Sequence, residues 1–150
     1  MLDKIKVEKL CKRWASVSRT SWNGLQSLEI NENFERQYYC VYDTPEDITE
    51  FIVQVLERCG VYLNDIKVEY YNKSPLNYKQ IMFNLQKFCS NLNSLLLKNN
   101  FRFEDENIFS DKAIQLIFKN NENLKNISLV DLNLNGKCFS CIRNPKIIES

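Results

Sequence analysis

Cys138-Phe139-Ser140-Cys141 places two thiols three residues apart, the spacing of half a structural zinc site or of a thiol–disulfide pair. A structural zinc takes four ligands, and the chain has neither a second Cys-x-x-Cys nor a single histidine. The missing histidine also removes the usual general base and the Ser–His and Cys–His pairings of nucleophilic catalysis. Glu104-Asp105-Glu106 supplies carboxylates, but without the spacing or the central glycine of a calcium loop. Gly24, Gly60 and Gly136 are too scattered to cradle a phosphate. The residues that could do chemistry therefore do not assemble into a reaction. No catalytic residue, cofactor or metal is expected, and function has to be sought in binding.

Composition narrows the partners. Twenty Lys and Arg face 19 Asp and Glu, a net charge of +1 with no basic block. Recognition of nucleic acid or of an anionic membrane through phosphates is not expected. With 44% hydrophobic and 26% charged residues, the 150-residue chain has ordinary globular composition. No apolar run is long enough for a secretory leader or a membrane span. Without such a leader the six cysteines read as reduced, several at apolar helix positions where a thiol behaves as a small hydrophobe. The expected location is cytoplasmic or nuclear, and the sequons at Asn72 and Asn126 read as chance matches in an Asn-rich chain.

The elements that must position any binding surface repeat along the chain. Leu-x-x-Leu-x-Leu spacing of aliphatic residues occurs at Leu25/Leu28/Ile30, Leu63/Ile66/Val68, Leu92/Leu95/Leu97 and Leu124/Ile127/Leu129. The leading leucines are separated by 38, 29 and 32 residues. The second and third aliphatics of each unit have the period-two spacing of a short strand. Helical patterns lie between them. Thr44 and Pro45 open one, with Gly60 as its expected left-handed stop. Ser74 and Pro75 are expected to open the next, and Ser110 the third. Ile52/Leu56, Ile81/Leu85 and Ala113/Ile117 fall at equal distances before the following strand, on one helix face at i and i+4.

Helix and strand recurring in phase resemble the leucine-rich-repeat family over about residues 24–136. The resemblance implies an α/β fold, a short solenoid with parallel strands on the concave side and helices on the convex side. In that family an Asn or Cys commonly sits three residues after the last strand aliphatic. Asn33 and Asn100 occupy that place, whereas Tyr71 and Leu132 do so in the other units. "DLNLNGKCFSCI" is expected to form an incomplete fifth strand or a terminal cap. Outward strand positions would line the concave, partner-binding face: Ser27, Glu29 and Asn31; Asp65, Lys67 and Glu69; Ser94, Leu96 and Lys98; Asn126, Ser128 and Val130.

Before the repeats, Val7, Leu10, Cys11 and Trp14 fall at helical spacing, and Trp22 completes the chain's pair of tryptophans. On residues alone this segment reads as an N-terminal helical cap whose rings cover the apolar end of the first unit. "LCKRWASVSRTSW" leading into "NGLQSLEI" also resembles the second half of an F-box followed by leucine-rich repeats, carried by Leu10, Cys11, Lys12, Arg13, Trp14 and Trp22. The division is then 1–23, partial F-box-like segment or cap, and 24–150, repeat domain. The resemblance implies a substrate-recognition adaptor of an SCF-type ubiquitin ligase. Its partners would be a Skp-type adaptor, a cullin scaffold and a protein substrate on the concave face. The alternative is a stand-alone repeat scaffold for protein interaction, or a fragment, without adaptor binding.

Overall fold

The computed structural model describes residues 22–39, 42, 44–71, 74–100, 108–142 and 148–149. Leu10, Cys11 and Trp14 lie outside these residues, as do Cys40 and the Glu104–Glu106 run. The chain is a mixed α/β protein. Five strands form one sheet in sequential order: β1 (Ser27–Ile30), β2 (Asp65–Tyr70), β3 (Ser94–Asn99), β4 (Asn126–Val130) and β5 (Ile148–Glu149). Every pairing is parallel. Parallel neighbours need a crossover, supplied between β1 and β4 by helices α1 (Glu32–Tyr39), α2 (Pro45–Cys59), α3 (Tyr78–Phe88) and α4 (Asp111–Asn120), whereas the described part of the β4–β5 connection holds the 3-10 turn Lys137–Cys141. Because crossovers are right-handed and the strands always step the same way, successive helices are delivered to one side of the sheet.

The repeated units pair in register. Leu28 pairs with Ile66, Ile66 with Leu95 and Leu95 with Ile127. Ile30, Val68, Leu97 and Leu129 form the parallel row two residues on. The first three members of each row are buried with Ile52, Leu56, Ile81, Leu85 and Ile117, so one core lies between sheet and helices. Burying each such aliphatic side chain is worth about 1.5–3 kcal/mol. Burial weakens at β4, where Ile127 and Leu129 are only half-buried.

A backbone device repeats with the units. The carbonyl of Gln26 accepts the N–H groups of Asn64 (2.8 Å) and Asp65 (3.1 Å). That of Asn64 accepts Asn93 (2.7 Å) and Ser94 (3.0 Å), and that of Asn93 accepts Lys125 (2.8 Å) and Asn126 (3.0 Å). Each acceptor directly follows a leading leucine, so the turn entering every strand is clipped to its predecessor.

The helix ends hold confirmations and corrections. Thr44 caps α2, accepting the Asp47 N–H at 3.2 Å, with Pro45 in the first turn, where its missing N–H costs nothing. Ser110 caps α4 through the Ala113 N–H at 3.2 Å. Gly60 does not terminate α2 in a left-handed conformation: its φ is −52° and ψ −36°, and the chain continues into a 3-10 turn, Gly60–Tyr62. Glycine is required there for space, since a Cβ would lie 2.7 Å from the Phe88 carbonyl oxygen. Nor do Ser74 and Pro75 open α3. Asn77 does, its side chain accepting the Gln80 N–H at 3.0 Å. Helix α1 was not signalled by the repeat spacing, and Asn33, expected in a turn, lies within it.

Candidate interaction surface

The face of the sheet opposite the core carries no helix among the described residues, and the strand register arranges its side chains in rows. Ser27, Asp65, Ser94 and Asn126 form one row, and Glu29, Lys67, Leu96 and Ser128 the next. Glu69, Lys98 and Val130 begin a third. The outward residues named from the sequence are therefore brought together, with one displacement. Asn31 lies just past β1 and turns its Oδ1 to the Phe34 N–H at 2.9 Å, capping α1, while its Nδ2 donates to Glu29 Oε1 at 2.6 Å.

Charge on this face is organised around Lys67. Its ammonium reaches Glu29 Oε1 on β1 and Glu69 Oε1 on its own strand, both at 2.9 Å. Hydrogen bonding to Lys67 holds the Glu29 carboxyl below the usual carboxylate range. Glu29, followed by Glu69, raises the Lys67 ammonium above the usual lysine range. These groups remain exposed enough for solvent to screen them, so the network orders side chains more than it stabilises the fold. On the β3–β4 side the surface changes character: Leu96 and Val130 are half-exposed on either side of Lys98. A polar half and a partly apolar half lie side by side on one continuous sheet.

Trp22 is not on this surface. It starts the 3-10 turn Trp22–Gly24 and is 1% exposed, in the core with the first strand's aliphatics. Its carbonyl accepts the Leu25 N–H at 2.9 Å.

The Cys-x-x-Cys pair is divided by burial. Cys138 is in the core, its thiol pushed up to about 11 chiefly by burial and then by Asp111, whereas Cys141 is half-exposed. The pair lies on the 3-10 turn Lys137–Cys141, which Asp111 fixes to the start of α4: its two oxygens accept the N–H groups of Asn135 (2.9 Å) and Cys138 (3.0 Å). Those bonds hold the Asp111 carboxyl below the usual range. Next to the turn is a cleft of about 540 Å³, with Phe118, Leu124, Ile127 and Ile142 on its apolar side and Lys119 and Glu122 on its polar side. Among the described residues, no group of three or more Cys, Asp or Glu is placed to hold a metal ion. No described helix is long and apolar enough to cross a membrane.

Two polar residues in the core were not singled out by sequence. Asn121, 2% exposed, accepts the Leu92 N–H at 2.8 Å and donates to the carbonyls of Ile117 (2.8 Å) and Cys89 (3.1 Å). Its signal was available: it stands three residues before a leading leucine, as do Trp22, Gly60 and Cys89. Glu35 on α1 is fully buried. Its Oε1 accepts from the Ser74 hydroxyl and, at 3.1 Å, from the Tyr78 hydroxyl, while Oε2 has no hydrogen-bond partner among the described residues. Burial drives the Tyr71 and Tyr78 phenols far above the usual tyrosine range, with Glu35 adding to both.

The arrangement defines an α/β protein with a parallel sheet covered on one face and open on the other. Comparison of the chain with protein-family models, curated proteins and solved structures finds no match.

Proposed function

We propose that the chain is a protein-binding adaptor of the leucine-rich-repeat kind, a short solenoid whose open sheet face is the concave, partner-binding side. The observation that carries this reading is the in-register placement of outward residues from four parallel strands on a face free of described helices. A partly exposed row such as Glu29–Lys67–Leu96–Ser128 offers a partner charge, hydrogen bonds and apolar area at fixed spacing. Such a surface recognises without reacting. By its resemblance to F-box/leucine-rich-repeat substrate receptors, the segment with Leu10, Cys11, Trp14 and Trp22 would engage a Skp-type adaptor and through it a cullin scaffold. Any rate effect would come from holding a substrate beside a recruited conjugating enzyme.

A second reading, a stand-alone repeat scaffold, draws on Trp22. A ring 1% exposed at the head of the first unit is doing what a cap does, and capping requires no adaptor. Co-purification separates the two. Tagged residues 1–150 and a Trp14→Ala variant are passed over a Skp-type adaptor and the retained material is identified by mass spectrometry. The adaptor reading expects retention of the intact chain and its loss in the variant. Failure of folded, intact chain to be retained leaves the scaffold reading.

A further inference from the structure

We propose that Ser74, followed by Pro75, is an acceptor for a proline-directed serine/threonine kinase, and that its phosphate detaches α1 by evicting the hydroxyl from the Glu35 carboxylate. The proposal does not depend on adaptor binding. It starts from a carboxylate that is fully buried and short of donors. Glu35 Oε1 receives the Ser74 and Tyr78 hydroxyls, the Tyr71 phenol is a further hydrogen-bonding neighbour of the carboxyl, and Oε2 has no well-formed hydrogen bond among described residues. Tyr78 is an overcommitted donor, because its single hydroxyl proton also faces the Glu69 carbonyl at 3.2 Å. Ser74 Oγ lies against both Glu35 Oε1 and the Tyr78 hydroxyl (3.4 Å), so a change there reaches both partners. It stands in the β2–α3 connection, so its bond to Glu35, like that of Tyr78, ties α1 to the next unit, beside the packing of Tyr38 on Phe51 at 5.0 Å between ring centroids.

In the modification, Ser74 Oγ forms a bond to the γ-phosphorus of ATP as the bond from that phosphorus to the β–γ bridging oxygen breaks. ADP leaves, and the hydroxyl proton passes to the kinase's base. The product replaces a donor with a phosphate that carries about −1.5 to −2 charges at neutral pH and accepts hydrogen bonds only. Set against a buried carboxylate, it is repelled and leaves Glu35 without the Ser74 donor. Ser74 is half-buried with its hydroxyl engaged, while Pro75 is exposed. The kinase therefore acts when the contact opens, and the phosphate prevents it from closing again.

Thr44–Pro45 provides an internal comparator. Thr44 is exposed, and its hydroxyl donates to Asp47 Oδ2 at 2.8 Å and caps α2. A phosphate there sits at a helix N-terminus, where free N–H groups receive anions, and the side-chain bonds of Thr44 go to Asp47 and not to Glu35.

The test treats the full chain with a proline-directed kinase and ATP, locates phosphate by mass spectrometry and follows amide hydrogen exchange over Glu32–Tyr39. Phosphate on Ser74 is expected to speed exchange in α1 by roughly tenfold or more. Phosphate confined to Thr44, in a Ser74→Ala chain, is expected to leave α1 at that variant's own unmodified rate. In Glu35→Gln the amide can donate to the phosphate, so the acceleration should shrink. The proposal is overturned if Ser74 stays unmodified while a Ser-Pro control peptide is consumed. It is equally overturned if α1 exchange is unchanged by phosphate on Ser74, or if the acceleration is undiminished in Glu35→Gln.

Discussion

The Asn121 side chain accepts the backbone N–H of Leu92 at 2.8 Å, so a residue of the fourth unit completes a turn in the third. In the other units this bond is local: Leu25, Leu63 and Leu124 donate to the carbonyls of Trp22, Gly60 and Asn121, three residues earlier. The same Asn121 amide donates to the Cys89 carbonyl, the group that would otherwise have served Leu92. One buried side chain therefore substitutes for the missing local bond and joins two units.

Replacing Asn121 with leucine keeps the branched outline of the side chain and strands both Leu92 N–H and Cys89 C=O in the core. An unmet buried group costs about 1–3 kcal/mol, so the variant should lose roughly 2–4 kcal/mol. Urea unfolding should show a lower midpoint at an unchanged slope.

Gly60 and Gly24 should respond differently to alanine. At Gly60 the new Cβ would lie 2.7 Å from the Phe88 carbonyl oxygen and 2.9 Å from its carbon, both backbone atoms. Forcing the α2 and α3 ends apart should cost about 1–3 kcal/mol. At Gly24 nothing lies within 4 Å of the added carbon, and the change should stay within about 0.5 kcal/mol. Thermal melts of the two variants check the contrast.

These glycines also show what the sequence discloses and what it hides. Leucine spacing set the strands, their registers and the outward rows, because period-two burial leaves few alternatives. Thr44 and Ser110 were legible as caps because an N-cap is a local bond between a side chain and an N–H three residues on. Tertiary contacts were not legible. Gly60 resembles a left-handed stop until Phe88 is placed against it. Ser74–Pro75 resembles a helix start until Glu35 claims the serine and Asn77 takes the cap. Asn31 has a strand-like position in the pattern, yet the chain bends into α1 directly after β1.

The open-face charges should make a pH- and salt-dependent contribution of a sign that can be stated. Glu29 titrates below its unfolded value, so what it adds to stability is present above the ordinary carboxylate range and is lost as pH falls through its lowered value. Lys67 titrates above its unfolded value, so its contribution holds below the ordinary lysine range and fades as pH rises through the raised one. Lys67→Met should bring the Glu29 carboxyl back toward the ordinary range in an NMR titration. The stability change should be no more than about 1 kcal/mol, shrinking further in high salt.

Thiol reactivity should divide the cysteines by burial. Cys138 is held up to about 11 and Cys89 to about 12, both chiefly by burial, while Cys59 is fully buried and donates to the Val55 carbonyl at 2.9 Å. Iodoacetamide at pH 8 should label half-exposed Cys141 well before these three, read site by site by mass spectrometry. Asp111→Ala removes the acceptor of the Cys138 N–H and should bring Cys138 labelling forward.

The adaptor reading is tested most directly by titrating purified residues 1–150 with a purified Skp-type adaptor in a calorimeter, beside a Trp14→Ala chain shown by circular dichroism to be folded. Saturable heat for the intact chain, reduced at least about tenfold in affinity by the substitution, is the predicted result. No heat from the folded intact chain, or identical isotherms for the two, would contradict it.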